Sequence, residues 1–78
     1  MKQQTHHMLD SRVTIIPLTL LKASQAFREM KTGETIEILV SDPDAKEDLL
    51  KVLSAYHCEL IKTEEEESFY RIVLKRGR

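Results

Sequence analysis

Chemistry in this chain would have to come from a short set of side chains. These are one thiol, Cys58, beside His57; a histidine pair, His6 and His7; and carboxylates at Asp10 and Asp42. An imidazolium next to a thiol can lower its pKa and make it a nucleophile. The competing reading of Cys58 is a small, partly buried residue at the start of a strand, where free cysteine behaves as a hydrophobe. Adjacent strand residues point to opposite faces, so His6 and His7 could not easily reach one ion, and no spaced ligand pattern of the structural zinc kind is present. No metal and no cofactor is expected. A cap explains Asp42 and no spacing pairs it with Asp10, so neither carboxylate is given an acid or base role.

The stretch best placed to hold a reactive group is Leu9 to Lys22, LDSRVTIIPLTLLK, where a short extended run meets Pro17 and turns into a helix. Proline suits a first helical turn because its missing N–H would have no partner there. The amides just after Ile16 should therefore present free donors at the positive end of a helix dipole, where a thiolate would be stabilised. Position 16 holds an isoleucine, which has no nucleophile and would cover those donors.

Seventy-eight residues suffice for one domain with a modest core, burying roughly 60% of the unfolded surface. With 41% hydrophobic and 32% charged residues the composition is that of a globular chain, which excludes the disordered class. A net charge of −1 builds in no general attraction to nucleic acid or membrane. One cysteine rules out an internal disulfide and fits a reducing compartment. The leading MKQQTHHM lacks an apolar core and no run approaches a membrane span, so neither signal peptide nor anchor is read and a cytoplasmic location is expected.

The elements follow from spacing. Residues 1–5 read as a flexible polar tail, and residues 6–78 as the single domain. A short strand from His6 or His7 to about Asp10 places Met8 inward. Leu18, Leu21, Ala26, Phe27 and Met30 recur at helical spacing, with Lys22, Gln25, Arg28 and Glu29 on polar positions, and the helix stops at Lys31-Thr32-Gly33. Thr35 to Ser41 is the clearest strand, with Ile36, Ile38 and Val40 on one face. A second helix starts from an Asp44/Glu47 capping pair or from Asp42 before Pro43, and its stripe is Leu49, Leu50, Leu53 and Tyr56. Cys58 to Thr63 and Ser68 to Lys75 read as strands joined by Glu64 to Glu67 as a solvated hairpin. The order implies an α/β two-layer sandwich, βαβαββ, with two helices on one face of a mixed four-stranded sheet.

With those residues set out, the chain resembles the TusA/SirA-like family of small sulfur-carrier proteins. That family opens with Leu-Asp-x-Arg-Gly-x-x-Cys-Pro-x-Pro and continues to a lysine in the first helix. Here Leu9, Asp10, Arg12, Pro17 and Lys22 stand at matching positions, followed by Gly33 at the helix ending and Asp42-Pro43 after the second strand. The likeness runs from about Met8 to Lys75. It implies strand order 1-2-4-3 with the last strand antiparallel. It also implies that position 16 lies past the end of the first strand while Cys58 lies at the far end of the sheet. The departures are Ile16 at the carrier cysteine, Thr19 at the second proline and Val13 at the glycine.

Family members resemble one another in carrying a persulfide between a cysteine desulfurase and an acceptor. The leading expectation is thus a non-catalytic, partner-binding member of a sulfur-transfer or redox system, its partner a desulfurase, rhodanese or sulfur reductase. Arg12, Lys22 and Arg28 are the candidate docking residues, against the alternative of a solvated helix face. A carrier using Cys58 is the enzymatic alternative. A small RNA-binding module is the third, because Lys75-Arg76-Gly77-Arg78 could touch RNA and the architecture is similar to a domain of a translation initiation factor. No basic excess or aromatic platform supports it, and Phe69 and Tyr70 read as sheet residues.

Overall fold

The computed structural model of the chain describes residues 6–12, 16–53 and 55–77, with only the backbone described at Ile16, Pro17 and Leu53. The tail at 1–5, Val13 and the side chain of Ile16 lie outside the described residues, as does the Leu53 side chain of the second helix stripe.

Six elements follow in the expected order: β1 (His6–Ser11), α1 (Ile16–Glu29), β2 (Thr35–Val40), α2 (Pro43–Leu53), β3 (Cys58–Glu65) and β4 (Tyr70–Arg76). They form one sheet of order β1-β2-β4-β3. β1 runs parallel to β2, while β4 is antiparallel to both β2 and β3. The α/β sandwich is therefore observed with the expected topology.

Strand β2 sits between two partners because it is apolar on both sides. Ile36, Ile38 and Val40 face the helices and are buried, and Leu39 on the other face is buried too. Around Ile36 and Ile38 the core gathers Ala23 and Phe27 of α1, Met30 just after it, Ala45 and Leu49 of α2, and Ile72 and Leu74 of β4. Phe27 is fully buried and its ring meets Tyr56 at 5.6 Å in a tilted pair.

Two expectations about which side faces in are corrected. Met8 is 58% exposed and Leu9 is the inward residue, because the register pairs Leu9 with Ile38 on the helix side. In α1 the buried line is Thr19, Ala23 and Phe27, continued by Met30 just past the helix, and Leu18 and Leu21 are exposed at 40% and 50%. Helix phase is set by small Ala23 and large Phe27 together, and one helix cannot turn both lines inward.

The caps settle the helix ends. Asp42 is the N-cap of α2: its carbonyl accepts from Lys46 N at 3.1 Å and its Oδ1 from Asp44 N at 2.8 Å, with Pro43 as the first helical residue. The Asp44/Glu47 alternative is not the cap. After α1, Gly33 takes φ 91°, the left-handed conformation that glycine accepts without strain, and donates to the Arg76 carbonyl at 2.9 Å. Arg76 also donates from its guanidinium to the Phe27 carbonyl, which caps α1 from β4.

The hairpin is displaced from its expected place. Glu64 and Glu65 belong to β3, and the connection is Glu66 to Phe69, closed by Glu66 N to the Phe69 carbonyl at 2.8 Å. Charge did not stop the strand because Arg71 lies opposite Glu64 and reaches it at 3.5 Å.

Candidate functional site

β1 and β2 end together, with Ser11 beside Val40, and both helices begin at that edge of the sheet. Such an end, past the carboxyl ends of parallel strands, is where α/β folds place ligands. An open cleft of about 440 Å³ lies there, lined by Asp10, Arg12, Ser41 and Ser68.

Asp10 and Arg12 make a forked ion pair, Nε to Oδ1 at 2.9 Å and Nη2 to Oδ2 at 2.7 Å. The Arg12 amide adds a bond to Oδ1 at 3.2 Å. The Arg12 side-chain bond, then its backbone bond, hold the Asp10 carboxyl below the usual carboxylate range, and Asp10 in turn raises Arg12. Ser41 Oγ donates to the Arg12 carbonyl, tying the end of β1 to the turn before α2.

The Arg12 guanidinium also lies 5.2 Å from the Phe69 ring centre, and Arg71 approaches the same ring at 5.9 Å. Arg71 is itself bound to Glu37 at 2.7 Å. Phe69 thus links the β3–β4 hairpin to the end of β1. Of the two aromatics expected in the sheet, Tyr70 is a strand residue, half-buried with Lys46 Nζ 5.0 Å above its ring, whereas Phe69 lies in the connection before β4 and meets the two guanidiniums instead.

The chemistry available is limited. Asp10 and Arg12 neutralise one another, and Ser41 and Ser68 have no histidine in the cleft lining. The histidines are elsewhere: His6 contacts Thr35 at 2.6 Å and Glu37 at 3.5 Å, and His7 contacts Glu34 at 3.0 Å, all at the start of β1 and β2. Among the described residues no group of three His, Cys, Asp or Glu side chains could hold a metal ion.

Ile16 is the first residue of α1, at the cleft end of the sheet. Cys58 pairs with Arg76, six residues along β4 from the Tyr70–Val40 row that marks the cleft end. At about 3.3 Å per residue the separation is roughly 20 Å. Burial pushes the Cys58 thiol up, against a smaller lowering by Arg76, so it is a poorer nucleophile than a free cysteine.

The candidate docking residues do not form one cluster. Arg12 is at the cleft. Lys22 lies on the exposed face of α1, and Arg28 lies close to the opposite end of the helix, about 18 Å from Ile16 at 1.5 Å per residue. Ser41, Ser68, Phe69 and Arg71 were missed as site residues; only cross-strand register brings them together. In the C-terminal segment proposed to touch RNA, the Arg76 side chain is committed to the Phe27 carbonyl.

A two-layer sandwich with a proline-led helix opening at the carboxyl end of β1 defines the class. The model of the family described as Sulfurtransferase TusA matches residues 7–76, and the chain belongs to that family. It is 28% identical over 69 residues to an Archaeoglobus fulgidus protein named "Putative sulfur carrier protein", covering 88% of this chain and 94% of that one. A crystal structure of a SirA-like protein from Desulfitobacterium hafniense has the same fold, with a TM-score of 0.74 at 18% identity, covering 95% of this chain and all of the other. Among the described residues no helix is long and apolar enough to cross a membrane.

Proposed function

We propose that this TusA-family domain does not carry sulfur and acts in the cytoplasm by binding a protein partner of sulfur-transfer or redox metabolism. One observation carries the reading: the helix that opens at the cleft begins with an isoleucine, while the chain's one thiol sits at the far end of the sheet with its pKa raised. A persulfide needs a thiolate to form on, and neither position supplies a ready one.

What the scaffold offers instead is a surface. Leu18, Leu21, Lys22 and Gln25 follow helical spacing on the exposed side of α1, so two leucines and a lysine face outward together. An apolar strip with a basic rim supports docking of a protein surface with acidic groups around an apolar centre. A desulfurase, a rhodanese or a sulfur reductase is the class of partner.

Binding of the full chain to purified members of these three classes tests the proposal. A complex weakened by Leu21→Asp and Lys22→Glu is expected, and no complex with any of them would count against it. Incubation with a cysteine desulfurase and cysteine should leave the intact mass unchanged. A gain of one sulfur atom that disappears in Cys58→Ala would overturn the reading.

A further inference from the structure

β3 is an edge of the sheet, and neither helix covers it, so seven of its eight residues are exposed. Edge strands commonly carry charges or bulges that discourage pairing. β3 has both, but they are arranged about a point of symmetry. Its ladder with β4 sets Glu59 opposite Lys75 and Lys62 opposite Val73, with a register shift between Leu60 and Lys62. Lys75 and Val73 are two residues apart and share a face, so Glu59 and Lys62 share that face as well. Three residues apart, they could not do so in a regular strand, and the extra residue, Ile61, makes it possible. By the same argument Cys58, opposite Arg76, and Thr63, opposite Ile72, share the other face.

Glu59-Leu60-Ile61-Lys62 is therefore self-complementary. Laid antiparallel beside its own copy, with the two-fold axis between Leu60 and Ile61, the strand sets Glu59 against Lys62 on one face and Cys58 against Thr63 on the other, with Leu60 and Ile61 meeting at the centre. Leu60 and Ile61, at the centre, are 45% and 48% exposed.

We propose that a second copy of this chain docks on β3, the two strands pairing about that axis to join two four-stranded sheets into one. The two Glu59–Lys62 pairs flank an apolar centre, and direct cross-strand pairs of opposite charge favour such a ladder. A slip of two residues sets Glu59 against Glu64, so the charges also fix the register. Lys62 meets Glu64 of its own strand at 3.6 Å, an exposed contact that is readily exchanged. Glu65, Glu66 and Glu67 fall beyond the paired segment. The other edge, β1, has no comparable order, with His6, Met8 and Asp10 on its outer face.

Sedimentation equilibrium of the full chain tests the proposal. A reversible monomer–dimer equilibrium is expected in the micromolar to millimolar range. Glu59→Lys sets lysine against Lys62 twice and should weaken the dimer by roughly tenfold or more, as should Lys62→Glu. Combining the two restores the complementary pairs and should restore the dimer. Both side chains are exposed, so circular dichroism should be unchanged in all variants. A monomer at every concentration would overturn the proposal and leave the edge to an extended segment of another protein. A dimer indifferent to Glu59→Lys, or one the combined variant fails to recover, would overturn it equally.

Discussion

Arg12 holds Asp10 through two bonds, at 2.9 and 2.7 Å, while the same guanidinium stands 5.2 Å from the centre of the Phe69 ring. One side chain therefore orients the carboxylate at the cleft and fastens the β3–β4 hairpin to the end of β1.

This pairing fixes a titration. The Asp10 carboxyl is held down chiefly by the Arg12 side chain, so its charged form is the one the fold favours. A depressed carboxyl contributes stability above its unfolded pKa and loses it as pH falls through the folded value. The contribution should thus be complete at neutral pH and fade only in acid. Carbon NMR of the Asp10 carboxyl should give a midpoint below the ordinary aspartate value, returning to it in Arg12→Ala. A midpoint unmoved by that substitution would show that the fork does not persist in solution.

Alkylation separates the two thiol positions. Cys58 should react with iodoacetamide more slowly than free cysteine at neutral pH, because burial raises its pKa. Ile16→Cys in a Cys58→Ala background should react faster, since α1 begins at that residue, at the positive end of the helix dipole. An ordinary rate at position 16 would mean that the altered residues around it, Val13 and Thr19, have taken away the environment that lowers a thiol pKa.

The capping of α2 gives a prediction with a built-in control. Asp42 Oδ1 accepts the Asp44 amide at 2.8 Å, whereas Asp44 lies inside the helix. Asp42→Ala should cost about 1 kcal/mol in urea unfolding, within the usual range for a lost N-cap. Asp44→Ala should cost clearly less, through the helix dipole alone. Equal losses would indicate that the first turn frays and that neither carboxylate holds it.

How far the sequence carried depends on which residues are asked about. The topology was legible because Ile36, Ile38 and Val40 alternate without ambiguity and because the motif from Leu9 to Lys22 is a family pattern. Facing was not legible at β1, where Met8 and Leu9 are adjacent and both apolar, so alternation permits either. It took the Leu9–Ile38 pairing to choose. In α1 the leucines drew the stripe to Leu18 and Leu21, but buried Thr19 and Ala23 carry it, a choice made by the sheet that receives the helix. The Ile61 bulge and the Phe69 contact with Arg12 and Arg71 are features of register between distant strands, and no local pattern encodes them.

Gly77 closes the chain against the turn before β3. Its amide donates to the His57 carbonyl at 2.7 Å, and a Cβ added at Gly77 would stand 2.7 Å from that same oxygen. His57 cannot easily yield, since it already holds φ 53°, a left-handed conformation unusual for a side-chain-bearing residue. Gly77→Ala must either break the hydrogen bond or displace the turn that leads into Cys58. A loss of roughly 1–3 kcal/mol is expected, the usual range for imposed backbone strain. Native-state hydrogen exchange should show the damage as lost protection at Gly77 and in the first residues of β3, with the β1–β2 ladder less affected. Unchanged stability together with unchanged protection would mean that the 77–57 contact carries no weight in holding β3 to the sheet.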